Sequence, residues 1–164
     1  MQTEAKEYWK LFKPAACSLR LAGQTQDEVF TELVENFVKG KALDGSLAAS
    51  ARKALLEREA LASTGIGQNV AIPHVKLAGL EEPIFSLSLH PDGIEWSSLD
   101  GQPVTIFFTV LRPERANPRY NPERHLDMMR WISHLGREAD FRRFALAVGT
   151  KKELVDLLRE MAGS

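Results

Sequence analysis

Apolar residues recur along the chain in two patterns, one that marks helices and one that marks strands. Between residues 26 and 38, Val29, Phe30, Leu33, Phe37 and Val38 fall on one face of a 3.6-residue repeat. This predicts a helix opened by Thr25 or Gln26 and closed by Gly40. A second helix is predicted from the capping residues Asp44, Gly45 and Ser46 to about Leu61, with Leu47, Ala51, Ala54, Leu55, Leu61 and Ala62 on its inward side. Dense apolar runs at 70–72, 84–89 and 104–111 read as strands, and the alternation within 17–21 reads as a short edge strand. The turn His90-Pro91-Asp92-Gly93 and the pair Asp100-Gly101 punctuate them. Asn121-Pro122-Glu123 is a helix start, a capping Asn followed by proline and an acid, for a helix to about Leu135. Shorter helices follow at 139–147 and 151–161, and the Pro- and Arg-rich stretch 112–121 is expected to be an exposed, mobile loop. Helices bracketing several β-rich runs predict a single α/β domain over residues 1–164, a mixed sheet sandwiched between helices.

Two polar side chains interrupt this pattern. Arg58 falls inside the apolar stripe of the second helix, three residues from both Leu55 and Leu61. A buried unpaired charge is costly, so this cation needs a partner. Either it bonds the last carbonyls of the helix, or it faces a pocket at the helix end where an anion arrives. Periodicity leaves both open. In the helix from Asn121, Met128, Met129, Ile132 and Leu135 form the inward stripe; His125 lies on that side and His134, nine residues on, faces outward. The two histidines therefore cannot share a ligand, and the plainer account of His125 is a hydrogen-bonded core residue.

Composition excludes several functions. The net charge is −1 and the Lys and Arg residues are scattered, without the basic stripe of a nucleic-acid-binding protein. The single cysteine, Cys17, excludes an internal disulfide and fits a reducing cytosol. No run approaches the ~18 apolar residues that read as a membrane span, so no direct membrane insertion is expected. The N-terminus, Met1-Gln2-Thr3-Glu4-Ala5-Lys6, lacks the apolar core of a signal peptide, and a cytoplasmic location is expected. The four histidines show no His-x-x-x-His or Glu-x-x-His spacing, which argues against a metal hydrolase. Cys17 has no local histidine signature, and no Gly-x-Ser-x-Gly motif occurs.

The stretch with chemical promise is Ser63-Thr64-Gly65-Ile66-Gly67-Gln68-Asn69-Val70-Ala71-Ile72-Pro73-His74. Gly65 and Gly67 allow positive φ and, with Thr64, are candidates for a phosphate-binding nest of backbone N–H groups. Asn69 tolerates left-handed geometry. Pro73 holds Ile72 extended and presents His74 at a rigid strand end. The loop matches neither a P-loop nor a dinucleotide fingerprint.

Arg58-Glu59, Ser63-Thr64-Gly65-Ile66-Gly67 and Val70-Ala71-Ile72-Pro73-His74 together resemble the mannitol/fructose-type IIA domains, with their nitrogen-regulatory branch, of the bacterial phosphoenolpyruvate-dependent sugar phosphotransferase system. The similarity begins weakly at Leu19-Arg20-Leu21 and runs through Asp100-Gly101-Gln102-Pro103-Val104. It ends with His125-Leu126 and the helix Glu153-Leu154-Val155-Asp156-Leu157-Leu158, a motif core of about 18–162. The resemblance implies phosphoryl relay. His74 matches the histidine that accepts a phosphoryl group from a histidine-containing phosphocarrier protein, itself charged from phosphoenolpyruvate. Arg58 matches the active-site arginine and His125 a second active-site histidine. No metal or cofactor is implied. The downstream partner is a IIB component, or a transporter or kinase for which the phosphoryl group is a regulatory mark. The absence of an attached IIB-like domain and of a membrane component favours the nitrogen-regulatory branch; the alternatives are a fructose/mannitol-type uptake component and a binding module that no longer relays phosphate. Three departures bear on partner choice: Val75 follows the Pro-His pair where the family has a small residue, Asn69 stands where glycine is common, and the loop 114–121 is long and basic. Ile66, Val75 and Leu77 are candidates either for a docking face or for ordinary core and rim packing, and on the first reading the branched Val75 narrows the entrance or alters which partner docks.

Overall fold

The structure, a computed structural model, describes residues 5–161. Residues 1–4, most of the segment read above as lacking a signal peptide, lie outside the described residues, as do residues 162–164.

Local chemistry starts the helices where the sequence predicts. α1 (Gln26–Lys39) is capped by Thr25, whose hydroxyl accepts from the Glu28 amide. Asp44 accepts from the Ser46 amide and opens a 3-10 turn that runs into α2 (Ala48–Leu61). The strands are β1 (Gly65–Gly67), β2 (Val70–Ala71), β3 (His74–Lys76), β4 (Ile84–Ile94) and β5 (Val104–Arg112). In α3 (Pro122–Arg137), Asn121 Oδ1 takes the Glu123 and Arg124 amides, and Pro122 occupies a first-turn position with no amide to satisfy. α4 (Ala139–Ala145) and α5 (Lys151–Met161) follow.

β5 is the centre of a mixed sheet. It runs antiparallel to β4 and parallel to both β2 and β3. Those two lie end to end along its other edge: Val70 and Ala71 face Ile106 and Phe107, while His74, Val75 and Lys76 face Val110, Leu111 and Arg112. They are two pieces of one strand, interrupted at Ile72-Pro73 because proline has no N–H to donate. The Pro73 carbonyl nevertheless accepts from the Val110 amide at 2.9 Å, so the piece carrying His74 stays in register.

Alternation along the strands divides the core in two. Val70, Ile72, Phe85, Leu87, Ile106, Phe108 and Val110 pack under α3, α4 and α5 through Met128, Ile132, Phe141 and Leu154. On the opposite face, Ala71, Val75, Phe107 and Leu111 meet Phe30, Leu33 and Phe37 of α1 and Leu55 of α2. The sheet is thus sandwiched between helices, the expected α/β architecture.

Four expectations are corrected. Residues 17–21 form no strand: they touch β4 through a bridge between Ser18 and Ser88, with the Leu21 amide on the Leu89 carbonyl. The turn predicted at His90–Gly93 is a bulge inside β4, where these four residues stand opposite Thr105 alone. Turn-forming residues serve a bulge equally well, and Gly93 takes the positive φ of 80°. Leu61 does not face inward but is 84% exposed, because the buried line of α2 is Ala51, Leu55 and Glu59, each four residues apart, and Leu61 lies on the other side. Within the loop 112–121, residues 114–119 are exposed, but Pro113 and Tyr120 are buried and the Asn117 and Tyr120 backbones pair with each other.

Candidate functional site

β3 begins on His74, which has the same strand parity as Val70 and Ile72, on the sheet face covered by α3. Its ring is half-buried, and Nδ1 lies 2.6 Å from the Ile72 carbonyl oxygen. A carbonyl oxygen only accepts, so Nδ1 carries the proton and Nε2 keeps its lone pair. Burial lowers the His74 pKa below the ordinary imidazole value, and the Arg58 and Arg112 charges push the same way. The bond to Ile72 and the Glu59 carboxylate oppose them without reversing the direction. At neutral pH this is a neutral imidazole with a free nitrogen.

Arg58 sits in the last turn of α2, half-buried, and Nη1 donates to the Ala62 carbonyl at 2.7 Å. The helix-end bond is made, and the positive charge is also felt at His74. Of the two accounts that periodicity left open, the bond to the last carbonyls of the helix is the one the structure shows. His125, in the first turn of α3, is 8% exposed and lies against Tyr120 (ring centroids 5.4 Å, edge-on) and Phe85 (6.1 Å). Burial, then Arg112, then His74, lower its pKa to about 4. His134 points outward to Glu138 Oε1 at 3.3 Å, apart from this group.

Three participants were not singled out from the sequence: Glu59, Arg112 and Tyr120. Glu59 is 7% exposed, and its carboxylate accepts from the Thr64 amide at 2.7 Å and from the Thr64 hydroxyl at 2.6 Å. Thr64 Oγ1 also accepts from Trp96 Nε1 at 3.3 Å. Arg112 ends β5 one pleat beyond Val110, the residue opposite His74, and its Nη1 donates to the Tyr120 hydroxyl at 2.8 Å. The signal for Arg112 was present in the sequence as a cation closing an apolar strand; nothing local marked Tyr120.

Of the amides expected to form a phosphate-binding nest at Thr64, Gly65 and Gly67, the first two already have partners in the chain. The Thr64 amide is held by Glu59, the Gly65 amide by Ser63 Oγ at 3.0 Å and the Gln68 amide by Asp100 at 2.8 Å. Gly65 is required by close approach, since a Cβ there would lie 2.1 Å from Ser98 Oγ. Gly67, Gln68 and Asn69 have φ of 91°, 56° and 69°, which turns the chain tightly from β1 into β2. A cavity of about 340 Å³ is lined by Tyr8, Phe85, Arg119, Tyr120, Arg124 and His125 among others, and His74 does not border it.

The chain matches the family model for the phosphoenolpyruvate-dependent sugar phosphotransferase system, EIIA 2, over residues 10–161. It belongs to that family. A nitrogen regulatory protein of Bradyrhizobium diazoefficiens is 36% identical over 131 residues, which cover 79% of this chain and 80% of that protein. A fructose-specific EIIABC component of Bacillus subtilis is 30% identical over 142 residues, 87% of this chain but 21% of that protein, so the chain spans about a fifth of that relative's length. Among solved structures, nitrogen regulatory protein IIA-Ntr from Neisseria meningitidis superposes with a TM-score of 0.80 at 24% identity, covering 92% of this chain and 97% of that one.

In this EIIA domain Val75 and Leu77 are core residues, 9% and 4% exposed, and pack with Phe107 and Leu111 under α1 and α2. Val75 therefore does not narrow the entrance, and neither residue belongs to a docking face. Strand parity explains the correction, since Val75 points away from the face that His74 occupies. Ile66 is partly exposed, and Leu61 is the most exposed apolar residue close in sequence to Arg58. No helix among the described residues is long and apolar enough to cross a membrane.

Proposed function

We propose that this EIIA domain is a phosphoryl carrier of the nitrogen-regulatory kind. It accepts a phosphoryl group on His74 Nε2 from a histidine-containing phosphocarrier protein and passes it on or holds it as a signal. The observation that carries this reading is the bond from His74 Nδ1 to the Ile72 carbonyl. It leaves a neutral, oriented nitrogen nucleophile, and phosphoryl transfer needs positioning and charge stabilisation above all. Nε2 attacks phosphorus, the N–P bond of the donor histidine breaks, and its electron pair returns to the donor ring; His74 keeps its Nδ1 proton throughout. Arg58 offers its remaining N–H groups to the phosphoryl oxygens. His125, held neutral by burial, donates a hydrogen bond to the group or fixes the His74 ring.

The nitrogen-regulatory assignment draws support from the Bradyrhizobium relative, matched along most of its length. The Bacillus relative supports a sugar-specific reading instead. Incubation with phosphoenolpyruvate and the two general phosphotransferase proteins is expected to add one acid-labile phosphate, absent from His74→Ala. Labelling of that variant at the wild-type rate would refute the assignment. Onward transfer to a fructose-type IIB component at a rate matching uptake would move the protein to the sugar branch.

A further inference from the structure

A phosphoryl group on His74 brings close to two negative charges into a half-buried cleft. Arg58 has already committed one Nη1 to the Ala62 carbonyl. A second guanidinium stands on the same side of the sheet. Arg112 ends β5 opposite Lys76, and the residue before it on that face, Val110, lies opposite His74 in the parallel register. Its Nη1 is tied to the Tyr120 hydroxyl, and Tyr120 in turn packs edge-on against His125. Arg112 is half-buried, and among the described residues no carboxylate forms an ion pair with it. A half-enclosed cation without an anion suits a site whose anion arrives as substrate.

We propose that Arg112, anchored by Tyr120 beside His125, contacts the phosphoryl oxygens directly as the second arginine of the His74 site. This rests on the phosphocarrier reading above and deepens it. The Tyr120 bond uses one of five N–H donors, so the rest of the guanidinium fork is free for the oxygens while its position stays fixed. The charge of Arg112 also lowers the pKa of both His74 and His125, which places it electrostatically within reach of both rings. The loop after Arg112 folds back so that Tyr120, at its far end, meets the arginine that begins it, while residues 114–119 stay exposed outside the site.

The test uses phosphoramidate, a small phosphoryl donor that needs no docking surface. Nε2 of neutral His74 attacks phosphorus, the P–N bond of the N-protonated donor breaks, and ammonia leaves with the bonding pair. Formation of phosphohistidine is followed by 31P NMR on the whole chain. Arg112→Gln is expected to slow labelling 10- to 100-fold, on the order of losing one charge-assisted contact made in the transition state. Arg112→Lys, which keeps the charge and loses the fork, is expected to fall between the two. Tyr120→Phe, which removes the anchor and keeps the guanidinium, is expected to lose several-fold and less than Arg112→Gln. Arg115→Gln removes the same charge from the exposed part of the loop and is expected to change the rate less than twofold. Wild-type labelling by Arg112→Gln overturns the contact alone. Equal losses in Tyr120→Phe and Arg112→Gln also overturn it, by showing that Arg112 acts only through Tyr120 on His125. Failure of the wild type to label on His74 overturns the phosphocarrier reading and the contact with it.

Discussion

The His74 ring donates through Nδ1 to the Ile72 carbonyl, 2.6 Å away and two residues earlier in the chain. Pro73 between them fixes its own φ and restricts Ile72 to extended backbone, so the carbonyl is held where the ring needs it. The phosphoryl group is therefore expected on Nε2 and not on Nδ1. Nitrogen-15 and phosphorus NMR of the phosphorylated protein distinguish the two isomers. Pro73→Ala is expected to slow labelling several-fold while costing only about 0.4–1 kcal/mol of stability, because it loosens the orientation and adds freedom to the unfolded chain. A phosphoryl group found on Nδ1 would contradict the tautomer assigned here.

His125 sets a pH dependence of stability. Its pKa falls to about 4 in the folded protein, against about 6.5 in the unfolded chain. Between those values the unfolded state binds the extra proton, so stability is fully present above about pH 6.5 and declines as the pH drops toward 4. The span corresponds to about 3 kcal/mol at most. His74 is shifted in the same direction and adds to the loss. Denaturant melts from pH 7.5 to pH 4 are expected to trace this decline, with a shallower slope for His125→Asn. Equal slopes in the two proteins would show that His125 is not buried as described.

Glu59 ties the end of α2 to the loop before β1. Its carboxylate takes both the amide and the hydroxyl of Thr64, and all three groups are enclosed. Glu59→Ala strands two donors and is expected to cost about 2–4 kcal/mol, summing about 1–3 kcal/mol for each unsatisfied group with partial relief by water. Glu59→Gln keeps one acceptor and is expected to recover about half. Thermal melts measure both, and a cost below 1 kcal/mol for Glu59→Ala would mean that Thr64 finds other partners.

The fold was legible where one physical rule governed each element. Thr25 and Asn121 cap their helices because each effect depends on neighbouring residues alone. His125 was placed inward by helical phase for the same reason. Pro73 stops the first strand piece as its chemistry predicts, but the strand resumes at His74 as β3, because the Pro73 carbonyl still pairs with Val110 and only the partner strand reveals that. The buried line of α2 was misread because Glu59, a charged residue, occupies a core position that only its bonds to Thr64 make tolerable. Leu61 was assigned inward in its place. The turn at His90–Gly93 was misread because a bulge and a turn use the same residues, and only the partner strand decides between them. Arg112 and Tyr120 were missed because their meeting depends on a loop folding back across eight residues, which no local pattern records.

Leu61 is 84% exposed three residues beyond Arg58, at the helix end whose charge reaches His74. A leucine this open gains nothing for the isolated fold, whereas transient protein partners bury such a side chain at small interfaces. Burial of a leucine contributes roughly 1.5–3 kcal/mol, which corresponds to about one to two decades in the affinity of an encounter complex. Leu61→Ser is therefore expected to slow labelling by the phosphorylated carrier protein at least tenfold at low carrier concentration. Labelling by phosphoramidate, which requires no interface, is expected to stay at the wild-type rate. The paired measurement separates docking from chemistry. A loss with both donors would place Leu61 in support of the site itself, and a loss with neither would move the docking face away from the end of α2.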